Sequence, residues 1–357
     1  MKNLKTALIG LGRMGADPSS RFGDSLPLGW LPITHAEAIQ SVPGYQLIAL
    51  CDSDVEKTKK FCKIYGVTHA YQFYETLLKE QRPEVVSIAT RTAIRYPIIM
   101  EAITSGVKGI YAEKPLANNL QDVKDIVLEL SSRNVKLAYG STRRAMPIYQ
   151  KAREISWGGE LGAVKHIAVE FGYSMLMWTL PHATDLITFF AGDTKLVRMK
   201  GSCDFDLECY NSKTDVLDAD PKVSDAFFEF ENGVTASIVP IDGPTIRIEC
   251  EKGIVAVIAD GERIVIEHTY QGGSEHSKYE EILPDEGPSG TQHIFEDLRD
   301  AINKNQDLTI IRPDEIITSH AMLFGIVQSQ LNGGNFISVK ELASSLKVTG
   351  RFGSLSA

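Results

Sequence analysis

Gly10-Leu11-Gly12-Arg13-Met14-Gly15 follows directly on the apolar run Leu4 to Ile9 and matches the pattern GxGxxG. Glycines suit that place because the backbone must turn tightly and let a pyrophosphate approach. The helix that follows offers free N–H groups and the positive end of its dipole. The pattern alone is weak, and its position after a buried strand strengthens it. A second mark is an acidic residue ending the next strand, where a carboxylate can bind both ribose hydroxyls. Asp52, after Gln46 to Cys51, stands there. A carboxylate at that point repels a 2′-phosphate, so the sequence favours NAD over NADP, a preference moderated by the adjacent Ser53.

The spacing is abnormal. Gly15 and Asp52 are 37 residues apart, against about 20 in the usual fingerprint. The excess is Ala16 to Pro32, ADPSSRFGDSLPLGWLP, whose three prolines and two glycines cannot continue a helix. It reads as an insertion at the mouth of a cofactor site, with the helix resuming near Thr34-His35-Ala36-Glu37. Its Arg21, Phe22 and Trp30 suit a lid over cofactor, substrate or a neighbouring subunit. A plain surface loop explains the composition equally well.

Outward from the glycine loop, short β-rich runs alternate with amphipathic stretches. Leu47 to Leu50, Val85 to Ala89, Gly109 to Ala112 and Val135 to Tyr139 read as buried parallel strands. Val55 to Tyr65, Tyr74 to Gln81, Pro97 to Ser105 and Leu120 to Leu130 read as helices between them. Beyond Pro147 alternating strands dominate, with hairpin turns at Glu231-Asn232-Gly233 and Ala259-Asp260-Gly261. Two helices, His293 to Asn303 and Asp314 to Gln330, close this second part. The expectation is an α/β chain: a Rossmann dinucleotide-binding domain over residues 1–140, carrying the 16–32 insertion, and an α+β domain over 141–357. The second is built on a mainly antiparallel sheet.

Composition narrows the function classes. The 357 residues are 43% hydrophobic and 23% charged, with a net charge of −9. That balance argues against a nucleic-acid partner, which calls for a cationic surface. No apolar run approaches the ~20 residues of a membrane span, and the apolar stretch after Lys5 ends at Gly10, so it reads as a buried strand rather than a signal peptide. Five cysteines without CxxC spacing fit reduced thiols in a cytoplasm better than disulfides or zinc. No metal site is expected.

Tyr111-Ala112-Glu113-Lys114-Pro115-Leu116-Ala117 adds a second motif. With the glycine loop it resembles the glucose-fructose oxidoreductase / inositol dehydrogenase (Gfo/Idh/MocA) family, and the resemblance runs through nearly the whole chain. Thr34 to Ile39 and Val42 to Asp52 resemble the family's first helix and second strand. Ser141-Thr142-Arg143-Arg144-Ala145-Met146-Pro147 resembles the link into the second domain, and Gly159 to Gly162 the turn after it. His182-Ala183-Thr184-Asp185-Leu186 resembles the HxxDL catalytic segment. The resemblance implies a large, open sheet in the second domain, serving substrate binding and oligomerisation, and oxidation or reduction of sugars and cyclitols by a homodimer or homotetramer. The implied cofactor contacts are Gly10, Gly12, Arg13, Met14, Gly15, Asp52, Ala89, Thr90, Glu113 and Lys114. The implied substrate contacts are Lys114, Arg144, Tyr173, Trp178, His182 and Asp185, with Lys114 and His182 catalytic.

The chemistry asks for such residues independently. Hydride transfer from a secondary alcohol needs a group to take the hydroxyl proton and a cation to stabilise the developing alkoxide. An imidazole with an ordinary pKa of about 6.5 makes His182 the proton acceptor, and Lys114 donates to the substrate oxygen. Asp185, one turn beyond His182, either orients it or charges the helix start.

The pattern is incomplete. Where the family carries an aspartate four residues before the histidine, this chain has Trp178, and Thr90-Arg91-Thr92 replaces the usual residues after the fourth strand. Tyr173 is the nearest substitute in sequence, or Trp178 stacks on a sugar face or the nicotinamide while Lys114 and His182 suffice. A catalytically inactive sugar- or NAD-binding regulator and an NAD-assisted glycosidase are the alternatives. Arg91, Arg95, Arg143 and Arg144 offer bidentate recognition of a phosphate or carboxylate, or simply structural ion pairs.

Overall fold

A computed structural model describes residues 3–23, 25–268 and 278–350. Six strands form a wholly parallel sheet: β1 (Leu4–Ile9), β2 (Tyr45–Cys51), β3 (His69–Tyr71), β4 (Val85–Ile88), β5 (Gly109–Ala112) and β6 (Lys136–Tyr139). Their order is β3-β2-β1-β4-β5-β6. β4 and β5 are buried at every residue, because helices cover both faces. Helix α1 (His35–Ser41) is capped by Thr34, whose side chain accepts the Glu37 N–H. Helix α2 (Val55–Tyr65) starts at Asp54, which accepts two N–H groups, and stops at left-handed Gly66. Helices α3 (Tyr74–Gln81), α4 (Arg95–Thr104) and α5 (Leu120–Ser132) complete this half.

After the short α6 (Thr142–Ala145), helices α7 (Pro147–Trp157) and α8 (Leu180–Ala191) lie against a second sheet. Its strands are β7 (Val164–Glu170), β8 (Ser174–Met175), β9 (Leu196–Asp204), β12 (Lys222–Phe230), β13 (Thr235–Val239), β14 (Thr245–Cys250), β15 (Gly253–Ile258), β16 (Arg263–His268), β17 (Lys278–Ile282) and β18 (Ile337–Ser338). The order is β17-β16-β15-β14-β7-β13-β12-β9-β18, with β8 beside β12. Neighbours are antiparallel except β7 and β13, which run parallel. Both expected hairpins form, β12–β13 and β15–β16. Three two-residue strands, β10 (Tyr210–Asn211), β11 (Val216–Leu217) and β19 (Lys347–Val348), make a third small sheet.

The last two helices do more than close the second part. Helix α9 (Gly290–Lys304) turns Ile294, Phe295 and Leu298 onto the first sheet, in one cluster with Tyr45, Val85 and Tyr111. Helix α10 (Pro313–Leu331) packs on β9 and α8 and also reaches α5. The two sheets are therefore joined by shared cover.

The insertion is spliced into one helical turn. His35 N–H donates to the Met14 carbonyl (2.8 Å) and Ala36 N–H to the Gly15 carbonyl (2.9 Å). Its start is tied by Ser19, whose backbone N–H and hydroxyl both donate to the Glu37 carboxylate. Its end is tied to the second part. The buried Trp30 indole N–H donates to the Asp260 carbonyl (2.9 Å), Gly290 N–H donates to Gly29 O (3.0 Å), and Ser289 Oγ donates to Pro32 O (2.6 Å).

Candidate active site

The glycine loop, Asp52, Ala89-Thr90, Lys114 and Gly140 all sit where strands of the parallel sheet end, along its carboxyl edge. Gly10 (φ +92°) presses against the end of β4, and a Cβ there would lie 2.7 Å from the Ala89 carbonyl carbon. A Cβ on Gly15 would fall 2.0 Å from the Gly10 carbonyl oxygen. The cradle is thus open only to glycine, and the residues fit a dinucleotide pyrophosphate. Arg13 and Met14 form the turn within it, Arg13 exposed and Met14 packed toward the second sheet's core. Asp52 accepts the Leu11 N–H (2.8 Å) and the Asp54 N–H (3.0 Å), with Lys57 Nζ 3.8 Å away. The carboxylate therefore also shapes the loop.

Glu113 does not face that cradle. It is buried, and its carboxylate meets His35 Nε2 at 2.9 Å while His35 Nδ1 lies 2.6 Å from Ser87 Oγ. Burial alone would raise the Glu113 carboxyl, but the His35 hydrogen bond and the charges of His35, Lys114 and Arg95 hold it below the usual range. Gly140 is required beside it, since a Cβ there would sit 3.0 Å from Glu113 Oε1.

Two further side chains, Arg95 and His320, fix the backbone around Lys114. Arg95 donates to the carbonyls of Thr90 and Pro115. His320 Nε2 accepts the Leu116 N–H at 2.9 Å, its Nδ1 lies 2.7 Å from the Ile316 carbonyl, and burial lowers this imidazole to about 4, leaving it neutral. The peptide Lys114-Pro115 is cis. His35 and His320 escaped the sequence reading of the site. Their only signals were a histidine opening a helix and one inside an apolar helical run.

Lys114 itself is half-buried and reaches across to the second part. Its Nζ donates to the Trp178 carbonyl (2.5 Å) and lies 5.0 Å from the centre of the Trp178 ring. Burial depresses this amine to about 8; Glu113 and Asp220 oppose the shift, and Arg143 and Arg95 add to it. His182, in the first turn of α8, is close enough for Lys114 to act on its charge. Burial, then Arg143 and Lys114, push it well below the ordinary imidazole value. The expectation of an ordinary histidine pKa is therefore corrected: this imidazole is neutral, and the amine is the group that titrates near neutrality.

Other expected substrate contacts are placed elsewhere. Arg144 and Asp185 are each only 1% exposed and bonded to one another: Nε donates to Oδ2 (3.0 Å), and Nη1 lies 3.2 Å from Glu315. Neither is open to a substrate, and Asp185 orients Arg144 rather than His182. Arg143 is bidentate on Asp260 (2.6 and 2.7 Å) and stacks on Trp30 and Phe171. Of the four arginines considered for an anion, Arg95, Arg143 and Arg144 are thus held by protein acceptors. The Tyr173 hydroxyl donates to Asp204, and Lys222 covers its ring, so this phenol does not take the aspartate's place beside Lys114. Trp178 is half exposed beside the amine.

Residues 4–141 match a family model described as "Oxidoreductase family, NAD-binding Rossmann fold". A trans-1,2-dihydrobenzene-1,2-diol dehydrogenase of Xenopus laevis is 29% identical over 150 residues, 42% of this chain and 44% of that protein. The human enzyme of the same name is 27% identical over 160 residues, 44% of this chain and 47% of that one. The match thus spans about half the length of these curated relatives. An aldose-aldose oxidoreductase from Caulobacter crescentus, solved with glycerol, superposes with a TM-score of 0.74 at 16% identity, covering 94% of this chain and 100% of that one. An Agrobacterium radiobacter oxidoreductase solved with NAD+, L-tartaric acid and magnesium gives 0.73 at 16% identity, covering 96% and 100%. At such identities the superpositions establish a shared fold across both sheets.

Proposed function

We propose that the chain, whose residues 4–141 match the oxidoreductase family model, is an NAD(P)-dependent oxidoreductase of the Gfo/Idh/MocA type. Its substrate is a secondary hydroxyl, or the matching ketone, on an uncharged sugar, sugar derivative, cyclitol or cyclic diol. The observation that carries this reading is the Lys114 amine, depressed to about 8 and anchored on the Trp178 carbonyl at the carboxyl edge of the sheet. A proton-transfer group works best when its pKa lies near the operating pH.

The cradle of Gly10, Gly12, Arg13, Met14 and Gly15 holds the dinucleotide, with Asp52 on the ribose and Ala89-Thr90 beside the loop. Bound nicotinamide supplies the hydride acceptor or donor. Lys114 Nζ takes the hydroxyl proton in oxidation and returns it in reduction. His182, neutral, hydrogen-bonds the same substrate oxygen, and Trp178 offers its exposed face to the ring carbons. Three of the four arginines considered, Arg95, Arg143 and Arg144, are already held by protein acceptors, which together with the net charge of −9 supports an uncharged substrate.

The names of the curated relatives, dehydrogenases of a cyclic vicinal diol, support the same substrate class. In this reading residues 1–140 carry the cofactor and 141–357 the substrate wall. NAD is preferred to NADP, and the chain works in the cytoplasm as a homodimer or homotetramer through the open face of its large sheet. The test is a panel of neutral sugars, cyclitols and dihydrodiols with NAD or NADP, followed at the reduced-nicotinamide absorbance in both directions. Cofactor binding without turnover of any of them would sink the reading in favour of a binding-only regulator.

A further inference from the structure

The wall that receives Lys114 is itself held by a carboxylate from a distant part of the chain. Leu176 N–H donates to the Pro221 carbonyl (2.8 Å), and Met177 N–H donates to Asp220 Oδ1 (2.7 Å). One residue further, the Trp178 carbonyl receives Lys114 Nζ. Asp220 and Lys114 thus grip the same short stretch from two sides.

The segment bearing Asp220 is fixed to the segment bearing Lys114. Strand β11 runs parallel to β19. Val348 N–H donates to the Asn118 carbonyl (2.9 Å), and Asn118 Nδ2 donates back to the Val348 carbonyl (2.6 Å). Asp218 accepts the Thr349 hydroxyl (2.9 Å), and Gly350 N–H donates to Ala219 O (3.3 Å). One strand therefore pins both the residues after Lys114 and those before Asp220.

We propose that Asp220 is a positioning residue for Lys114, holding the Leu176–Trp178 stretch by the Met177 N–H so that the Trp178 carbonyl seats the amine, and placing a carboxylate charge on the amine's side of the site. This deepens the reading of Lys114 as the proton-transfer group and rests on it. The charged groups acting on that amine are Glu113, Arg95, Arg143 and Asp220, with neutral His182 alongside. Glu113 already serves His35. Without Asp220, two guanidinium groups and burial act against a single shared carboxylate.

The test reads the amine without requiring turnover. In the full-length protein, acylation of Lys114 by an N-hydroxysuccinimide ester is followed against pH by mass spectrometry of its peptide. Asp220→Asn and Asp220→Ser should each lower the midpoint by about one pH unit, the size expected for removing one nearby charge at intermediate dielectric. Asp220→Glu should restore it, and Glu208→Gln, an exposed carboxylate of the same region, should leave it unchanged. Equal midpoints in wild type, Asp220→Asn and Asp220→Ser would overturn the proposal. Absence of turnover in the wild type would instead remove the oxidoreductase reading while this titration still decided the role of Asp220.

Discussion

Lys114 Nζ rests 2.5 Å from the carbonyl of Trp178 and 5.0 Å from the centre of its ring, so one residue receives the amine with both its backbone and its side chain. The depressed amine has a kinetic sign. In the proposed reaction oxidation uses the neutral amine and should rise as pH passes upward through about 8, while reduction uses the ammonium and should fall through the same pH. Lys114→Ala should lower kcat/KM by about 10²–10⁴-fold and leave NAD affinity within a few-fold. Loss of cofactor binding instead would mark the lysine as structural.

Arg144 and Asp185 predict a stability effect where the sequence suggested a binding one. Asp185→Asn takes one of two carboxylates from a buried guanidinium that keeps Glu315 at 3.2 Å, so it should cost part of the about 3–5 kcal/mol seen when such a pair is fully broken. Thermal unfolding should drop accordingly, while KM of the protein that remains folded at low temperature stays put. A raised KM with unchanged unfolding would return Asp185 to the substrate.

Trp30 makes the insertion part of the folded body. It is only 7% exposed and donates to the Asp260 carbonyl. Trp30→Ala should cost about 3–5 kcal/mol, as other buried aromatic truncations do, read as a lower denaturation midpoint. A surface loop would register almost nothing.

Asp52 shapes the glycine loop by accepting the Leu11 N–H and, in the proposed reading, binds the ribose; Asp52→Asn separates the two. The amide oxygen still accepts the Leu11 N–H, but the charge that excludes a 2′-phosphate is gone. NAD binding should weaken about tenfold, in line with losing a charge-assisted hydrogen bond, while NADP binding holds or improves. Isothermal titration with both cofactors checks it, and parallel losses would deny Asp52 its ribose contact.

Legibility in the sequence followed locality. Helices α2 and α3 match their predicted limits because amphipathic spacing and, for α2, Asp54 and Gly66 mark them within a few residues. β3 escaped, since His69 and Ala70 are exposed on a three-residue edge strand with no apolar alternation. The glycine loop and Lys114 were legible as short motifs. Asp220 was not, because nothing near it in the chain signals that it lies against Met177. Arg95, Arg143 and Arg144 looked like anion receptors because a sequence shows a guanidinium without showing which carboxylate or carbonyl it has already met.

The splice at Met14-Gly15 and His35-Ala36 carries a mechanical consequence. At one end, residues 16–32 issue from the glycine loop; at the other, Gly29, Trp30 and Pro32 are fastened to the hairpin of Asp260 and the start of α9. The segment is a tie rod between the two halves. Any movement that drew the two halves apart would therefore pull on the glycine loop itself.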